Sequence, residues 1–156
     1  PLTGELELMG TDMRRQTNLD GFLRLTADQQ AIALKHVDLK MIETGHVSCT
    51  VKESILEKAF DMGEKFVAET QKLSPNIDPS GKGIIGPFAL QGAVVAEEGK
   101  EDIVIFDVSF RIPGSPGSKA TPYSGYLHGE NLSVGERVAM EIKSAIESGR
   151  VEEIIT

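Results

Sequence analysis

The 156-residue chain has a single cysteine, Cys49. One thiol excludes an internal disulfide and a multi-cysteine zinc site, and it fits a reducing compartment. No stretch reaches the ~18 consecutive apolar residues of a spanning helix, so no membrane is expected as a partner. Basic runs are missing too: 24 acidic residues outnumber 16 basic ones, for a net charge of −8. That balance argues against a general nucleic-acid or anionic-membrane surface. It leaves room for a nucleotide, which needs only one local cradle. Pro1-Leu2-Thr3-Gly4-Glu5 shows no basic start, no apolar signal core and no initiating Met, so a piece of a longer protein is expected. Hydrophobic residues make up 40% of the chain, enough for one core, and residues 1–156 read as one domain.

Periodicity predicts an α+β fold, with an antiparallel sheet covered by helices. Residues 1–25 read as extended or looped, and a short helix is expected from Thr26, where Thr26-Ala27-Asp28-Gln29 has capping-box spacing. Lys40 to Val51 reads as a strand or hairpin interrupted at Gly45-His46. A helix is expected from the box at Ser54 to about Lys72, with Ile55, Ala59, Met62, Phe66, Val67 and Leu73 on one face. A second is expected from the box at Ser133 to a stop at Gly149, with Val134, Val138, Ile142, Ala145 and Ile146 as its stripe. Both stripes read as core.

Between these helices, Ile85–Glu97 and Glu101–Ile112 are strand-like, joined by Glu98-Gly99-Lys100. The register then opposes Glu97 to Glu101 and Gln91 to Asp107. Alternation sends Val104, Phe106, Val108, Phe110 and Ile112 to a packed face. It gathers Gln91, Asp107, Ser109 and Arg111 on the other. An amide oxygen and a carboxylate that close can share one cation, and two protein ligands suit Mg²⁺ completed by water and phosphate. The plain alternative is the wet face of a half-buried sheet. Arg111 suits a phosphate beside such a metal, or equally a same-face pair with Asp107. Ser74–Gly83 and Pro113–Gly129 read as loops. His36, His46 and His128 show no metal-ligand spacing, and nothing supports Cys49 as a nucleophile. The glycine-rich segments match neither a dinucleotide fingerprint nor a P-loop.

A family pattern runs through the chain in order. It comprises Glu7-Leu8-Met9-Gly10, Thr17-Asn18-Leu19-Asp20-Gly21, Glu53-Ser54-Ile55-Leu56 and Gly63-Glu64-Lys65-Phe66-Val67. It continues with Ile85-Gly86-Pro87-Phe88-Ala89-Leu90-Gln91, Phe106-Asp107-Val108-Ser109, Pro122-Tyr123-Ser124 and Glu141-Ile142-Lys143. On these residues the chain resembles the C-terminal part of the archaeal formate-dependent 5-aminoimidazole-4-carboxamide ribonucleotide (AICAR) ligases, of the ATP-grasp superfamily. The resemblance implies residues 1–156 as the C-terminal portion of an ATP-grasp fold, without the substrate domain and nucleotide-clamping lobe. It implies a cytoplasmic ATP- and Mg²⁺-dependent ligase of purine biosynthesis, joining formate to the AICAR amine. ATP, formate and AICAR are then the ligands, and a homo-oligomer is expected. Gln91 and Asp107 are implied Mg²⁺ ligands, Gln16 a nucleotide contact and His46 an AICAR contact, with Arg111 neutralising charge nearby. The family usually has Glu at the position of Asp107 and of Gln16, and Asn at the position of His46. The loop Pro113-Gly114-Ser115-Pro116-Gly117-Ser118 also departs from its usual form. These departures leave open a diverged, non-catalytic nucleotide-binding or assembly module, or a ligase of another carboxylate and amine.

Overall fold

The computed structural model describes residues 1–112, 114 and 117–155, and for Glu97 the backbone alone. Pro113, Ser115 and Pro116 of the long loop, and Thr156, lie outside the described residues. Helices and antiparallel strands are present as expected, but in place of one sheet there are two small ones. In chain order come β1 (Asp12–Met13), α1 (Leu19–Leu23), α2 (Ala27–Ala33), β2 (Val47–Ser48), α3 (Glu53–Thr70), β3 (Ala89–Glu97), β4 (Lys100–Ser109), α4 (Gly117–Ala120), α5 (Tyr123–His128) and α6 (Val134–Ser148). The strands form two separate two-stranded sheets, β1–β2 and β3–β4.

The capping boxes at Thr26 and Ser133 form as expected. Ser133 Oγ accepts from the Glu136 amide, and Glu136 reaches back to the Ser133 amide at 2.7 Å. A hydrogen bond from Lys119, together with the Ser133 contacts, holds the Glu136 carboxyl down at about 2. Gly149 ends α6 in the left-handed region at φ 69°. The box at Ser54 does not form: the N-cap lies two residues earlier, at Lys52, which makes no side-chain cap bond.

Three loop and strand expectations also change, the first at Leu19–Leu23, read as extended or looped but helical as α1. Of Lys40–Val51 only Val47–Ser48 is strand, and its partner is Asp12–Met13 rather than a local hairpin arm. Much of the stretch read as a loop after Pro113 is helical, as α4 and α5. Pro122 stands at the N-cap of α5 and Gly129 at its left-handed C-cap, so residues that read as loop markers punctuate a short helix.

The core is small and draws on residues of α3, α5, α6 and the segment before α6. Ile55, Tyr123, Leu132 and Ala145 are its buried apolar residues among those described, joined by buried Thr121 and Ser124. Ser124 Oγ accepts from the Leu132 amide at 2.8 Å, and the Tyr123 hydroxyl accepts from the Val51 amide at 3.0 Å. These polar groups are partnered, as burial requires. The α6 stripe is only partly core: Ala145 is sealed, whereas Ile142 and Ile146 are exposed. The accessible surface is 11030 Å², against about 7,700 Å² for a compact monomer of this mass.

The β3–β4 hairpin docks on α3 and differs in register from the sequence expectation. Its turn has two residues, Glu98 and Gly99, with φ 51° and 79°, the conformation of a tight hairpin turn. Glu97 therefore opposes Lys100, not Glu101. A bulge between Gln91 and Gly92 then adds Phe106 on β4 and restores the expected pairing of Gln91 with Asp107. A Cβ on Gly92 would lie 2.7 Å from the Val104 carbonyl oxygen, so the bulge needs glycine there.

The bulge changes which side chains pack. Before it, Glu101, Ile103 and Ile105 are half-buried, while Val104 and Phe106 are 51% and 69% exposed. Beyond it Val108 is half-buried, and Phe110 and Phe88 meet Phe66 of α3 with ring centroids 5.6 and 5.0 Å apart. The expected packed face thus breaks at Phe106. Val104 and Phe106 fall on the open side with Asp107, because one extra residue inverts the alternation. Lys52 meets Glu101 at 2.7 Å and Lys58 meets Asp102 at 3.0 Å, pinning the turn end to α3.

Candidate metal and substrate site

Gln91, Asp107 and Ser109 meet on the open face of the hairpin. The Gln91 Nε2 donates to Asp107 Oδ2 at 2.7 Å and to Ser109 Oγ at 3.2 Å. The amide nitrogen is thus turned toward these two groups, which leaves Gln91 Oε1 as an acceptor. The donor set is all oxygen, the kind a hard cation takes. No group of three or more His, Cys, Asp and Glu able to hold a metal occurs among the described residues. What is present fits a cation that draws most of its ligands from water or from a bound phosphate, and it does not fit a dedicated protein cage.

Arg111 is exposed on the strand's exit, and its Nη1 donates to the Ile112 carbonyl at 3.4 Å. Among the described residues it forms no ion pair, so the alternative of a structural Asp107–Arg111 pair is not what the chain adopts.

Gln16 and His46 lie elsewhere, on the segments that form and extend the β1–β2 ribbon. The ribbon pairs Asp12 with Ser48 and Met13 with Val47, and continues where the Thr44 amide donates to the Arg15 carbonyl at 3.0 Å. Both side chains are exposed. The structure thus brings Gln16 and His46 together on one ribbon, and Gln91, Asp107 and Ser109 together on a different sheet.

Two groups escaped the sequence reading. Below His46 lies Asp12, whose carboxylate is 7% exposed and 3.6 Å from His46 Nδ1. Neither Asp12 oxygen has a hydrogen-bond partner. The other is an ionic network between the N-terminal arm and α6. Arg137 holds Glu7 bidentately, Nε to Oε2 at 2.7 Å and Nη2 to Oε1 at 2.8 Å, and reaches Glu141 with Nη1 at 2.7 Å. His128 Nε2 approaches Glu7 at 3.5 Å, and the Leu2 amide donates to Glu141. The Arg137 hydrogen bond holds the Glu7 carboxyl below its ordinary range, against the opposing effect of burial. Burial pushes Glu141 up, but the hydrogen bonds from Arg137 and the Leu2 amide outweigh it and leave it lowered. The Arg137–Glu141 spacing on one helix was a readable signal. Glu7 had none, being 130 positions from its partner.

The whole chain, residues 1–156, matches the family described as "Domain of unknown function (DUF1297)". The chain belongs to this family. It is 37% identical, over its full length, to the 5-formaminoimidazole-4-carboxamide-1-(beta)-D-ribofuranosyl 5'-monophosphate synthetase of Methanocaldococcus jannaschii, covering 41% of that protein. The synthetase of the same name from Methanothermobacter thermautotrophicus is 40% identical over 99% of the chain, which covers 40% of its length. Among solved structures, the IMP biosynthesis protein PurP from Thermococcus kodakaraensis superposes with a TM-score of 0.63 at 31% identity. That match takes in 100% of this chain and 46% of the other. The resemblance to the AICAR ligases read from the sequence is therefore correct. The chain spans about two-fifths of the length of the curated relatives it matches. No helix among the described residues is long and apolar enough to cross a membrane.

Proposed function

We propose that this chain is the metal-holding portion of an ATP- and Mg²⁺-dependent carbon–nitrogen ligase that joins formate to the amine of AICAR. The observation that carries the reading is the Gln91–Asp107–Ser109 cluster, set on an open strand face by the bulge at Gly92. Likeness to proteins named as synthetases of the formylated product supports the reaction class.

Gln91 Oε1 and the Asp107 carboxylate would hold Mg²⁺. When bound, the ion would neutralise charge on the β and γ phosphates of ATP. In the reaction a formate oxygen attacks the γ phosphorus and ADP leaves, giving formyl phosphate. The AICAR amine then attacks the formyl carbon, phosphate departs, and the amine loses a proton as FAICAR forms. No protein nucleophile is needed, so the residues here act by positioning and by charge. Arg111, two positions after Ser109 and exposed, faces the transferring phosphoryl group. Gln16 contacts the nucleotide and His46 the ribonucleotide. The fold is the C-terminal portion of an ATP-grasp enzyme working in the cytoplasm as a homo-oligomer. Supporting this, the chain carries far more surface than its mass predicts, including the apolar Val104 and Phe106 beside the cluster. The remaining lobes of the longer protein would cover that face.

The test is product formation by the full-length protein supplied with ATP, Mg²⁺, formate and AICAR. Equal amounts of FAICAR, ADP and phosphate are expected, with no turnover by the 156-residue segment alone. ATP turnover that ignores both formate and AICAR would contradict the reading.

A further inference from the structure

A carboxylate with no hydrogen bond, buried to more than nine-tenths, is a costly arrangement that packing alone does not explain. Asp12 is in that state. Its Oδ1 presses on Gly117, where a side-chain carbon would collide with it, and Gly10 presses on the backbone of Gly117 and Ser118. The carboxylate is therefore boxed in by backbone that admits no larger residue. Among the described residues, the side-chain nitrogen at ion-pair distance is His46 Nδ1, at 3.6 Å, which is too long for a hydrogen bond. Half of the His46 side chain faces solvent.

We infer that Asp12 is a positioning residue for His46: it draws the ring proton onto Nδ1 and leaves Nε2 bare, as an acceptor for an N–H group of the bound ribonucleotide. The chemistry follows from the groups present. A carboxylate offers only acceptors, so the imidazole nitrogen that turns to it carries the hydrogen. In a neutral ring the other nitrogen is then a lone pair. The distance of 3.6 Å closes by a small rotation of the ring, the kind of tightening that ligand binding brings to loose contacts. A ribbon presenting an acceptor selects an amine or carboxamide donor and disfavours a phosphate, which has no N–H to give. This rests on the proposed reading that the β1–β2 ribbon binds the amine substrate.

The experiment uses the full-length protein labelled with ¹⁵N-histidine. Ring ¹⁵N shifts report which nitrogen carries the proton, and His46→Asn assigns the signals. In the native protein, at a pH where the ring is neutral, the Nδ1–H form of His46 is expected to dominate. Asp12→Asn should return the ring to a mixture rich in Nε2–H. The same substitution should raise KM for AICAR roughly fivefold, the scale of one neutral hydrogen bond, while leaving KM for ATP unchanged. In a His46→Asn background Asp12→Asn should add nothing to KM, because Asp12 acts through the imidazole. An unchanged His46 tautomer in Asp12→Asn overturns the inference, as does an additive effect on KM. The ring shifts need no turnover, so a protein that fails to use AICAR would contradict the proposed reaction while the tautomer result still judges Asp12.

Discussion

The N-terminal arm with α6 and the β3–β4 hairpin on α3 use polar groups in opposite ways. In the first region Arg137 is surrounded by its own partners: Glu7 takes two of its hydrogen bonds and Glu141 a third. Three of the five Arg137 N–H groups are thus spent inside the network. In the hairpin, Gln91, Asp107 and Ser109 partner chiefly one another on an exposed strand face, and Arg111 beside them has no ion pair among the described residues. Charge that is internally matched and shielded from water holds the chain together. Charge left open beside a bulge is available for chemistry. The two regions can therefore be perturbed separately.

The largest expected effect on stability is in the first region. Arg137→Ala removes the cation between two shielded carboxylates and should cost about 3 kcal/mol. Chemical denaturation of the full-length protein, monitored by a probe near α6, would read this. A loss no larger than that of an exposed pair would erase the contrast between the regions.

Acid should reach the same region next. The folded-state pKa of Glu7 lies below its ordinary value of 4.5, so its contribution is complete above that value and is lost as pH falls through the lowered folded pKa. Denaturation midpoints measured from pH 6 down to pH 3 should fall more steeply in the native protein than in Glu7→Gln. Parallel curves would mean that the network contributes nothing to folding.

Changes in the hairpin should be smaller. Glu98 adopts φ 51°, a conformation unfavourable for most side chains but easier for Asn. Glu98→Asn should raise stability by roughly 0.5–1 kcal/mol, visible as a small rise in melting temperature. The smallest effect belongs to Lys52→Ala, which breaks the exposed pair with Glu101 and should cost about 0.5 kcal/mol, less at high salt. A larger loss would show that docking of the hairpin on α3 depends on that charge.

The meeting of Gln91 and Asp107 was legible because strand alternation depends only on local order. The route to it was not. A two-residue turn shifted the register by one, and the bulge shifted it back, so the expected pair survived while the packed face at Val104 and Phe106 did not. Gly92 was the available sign, since a glycine inside a strand marks a bulge or a close backbone approach. The helices beginning at Thr26 and Ser133 were legible from side chains that bond their own first turn. The box at Ser54 failed because α3 gained two residues at its start, which placed Ser54 inside the helix. The Glu7–Arg137 contact and the Asp12–His46 approach were invisible in the sequence. Both depend on tertiary packing between distant segments, which no periodicity encodes.

In the proposed function Asp107 serves the cation and not the fold. The direct measurement is ATP turnover by full-length native and Asp107→Asn proteins across Mg²⁺ concentration, with melting recorded on the same samples. The half-maximal Mg²⁺ concentration should rise by at least roughly tenfold, the cost typical of losing even an outer-shell partner. The melting curve should be displaced by no more than about 0.5 kcal/mol, since Asp107 lies exposed on the open face. An unchanged Mg²⁺ dependence, or a collapse of the fold, would contradict that role for Asp107.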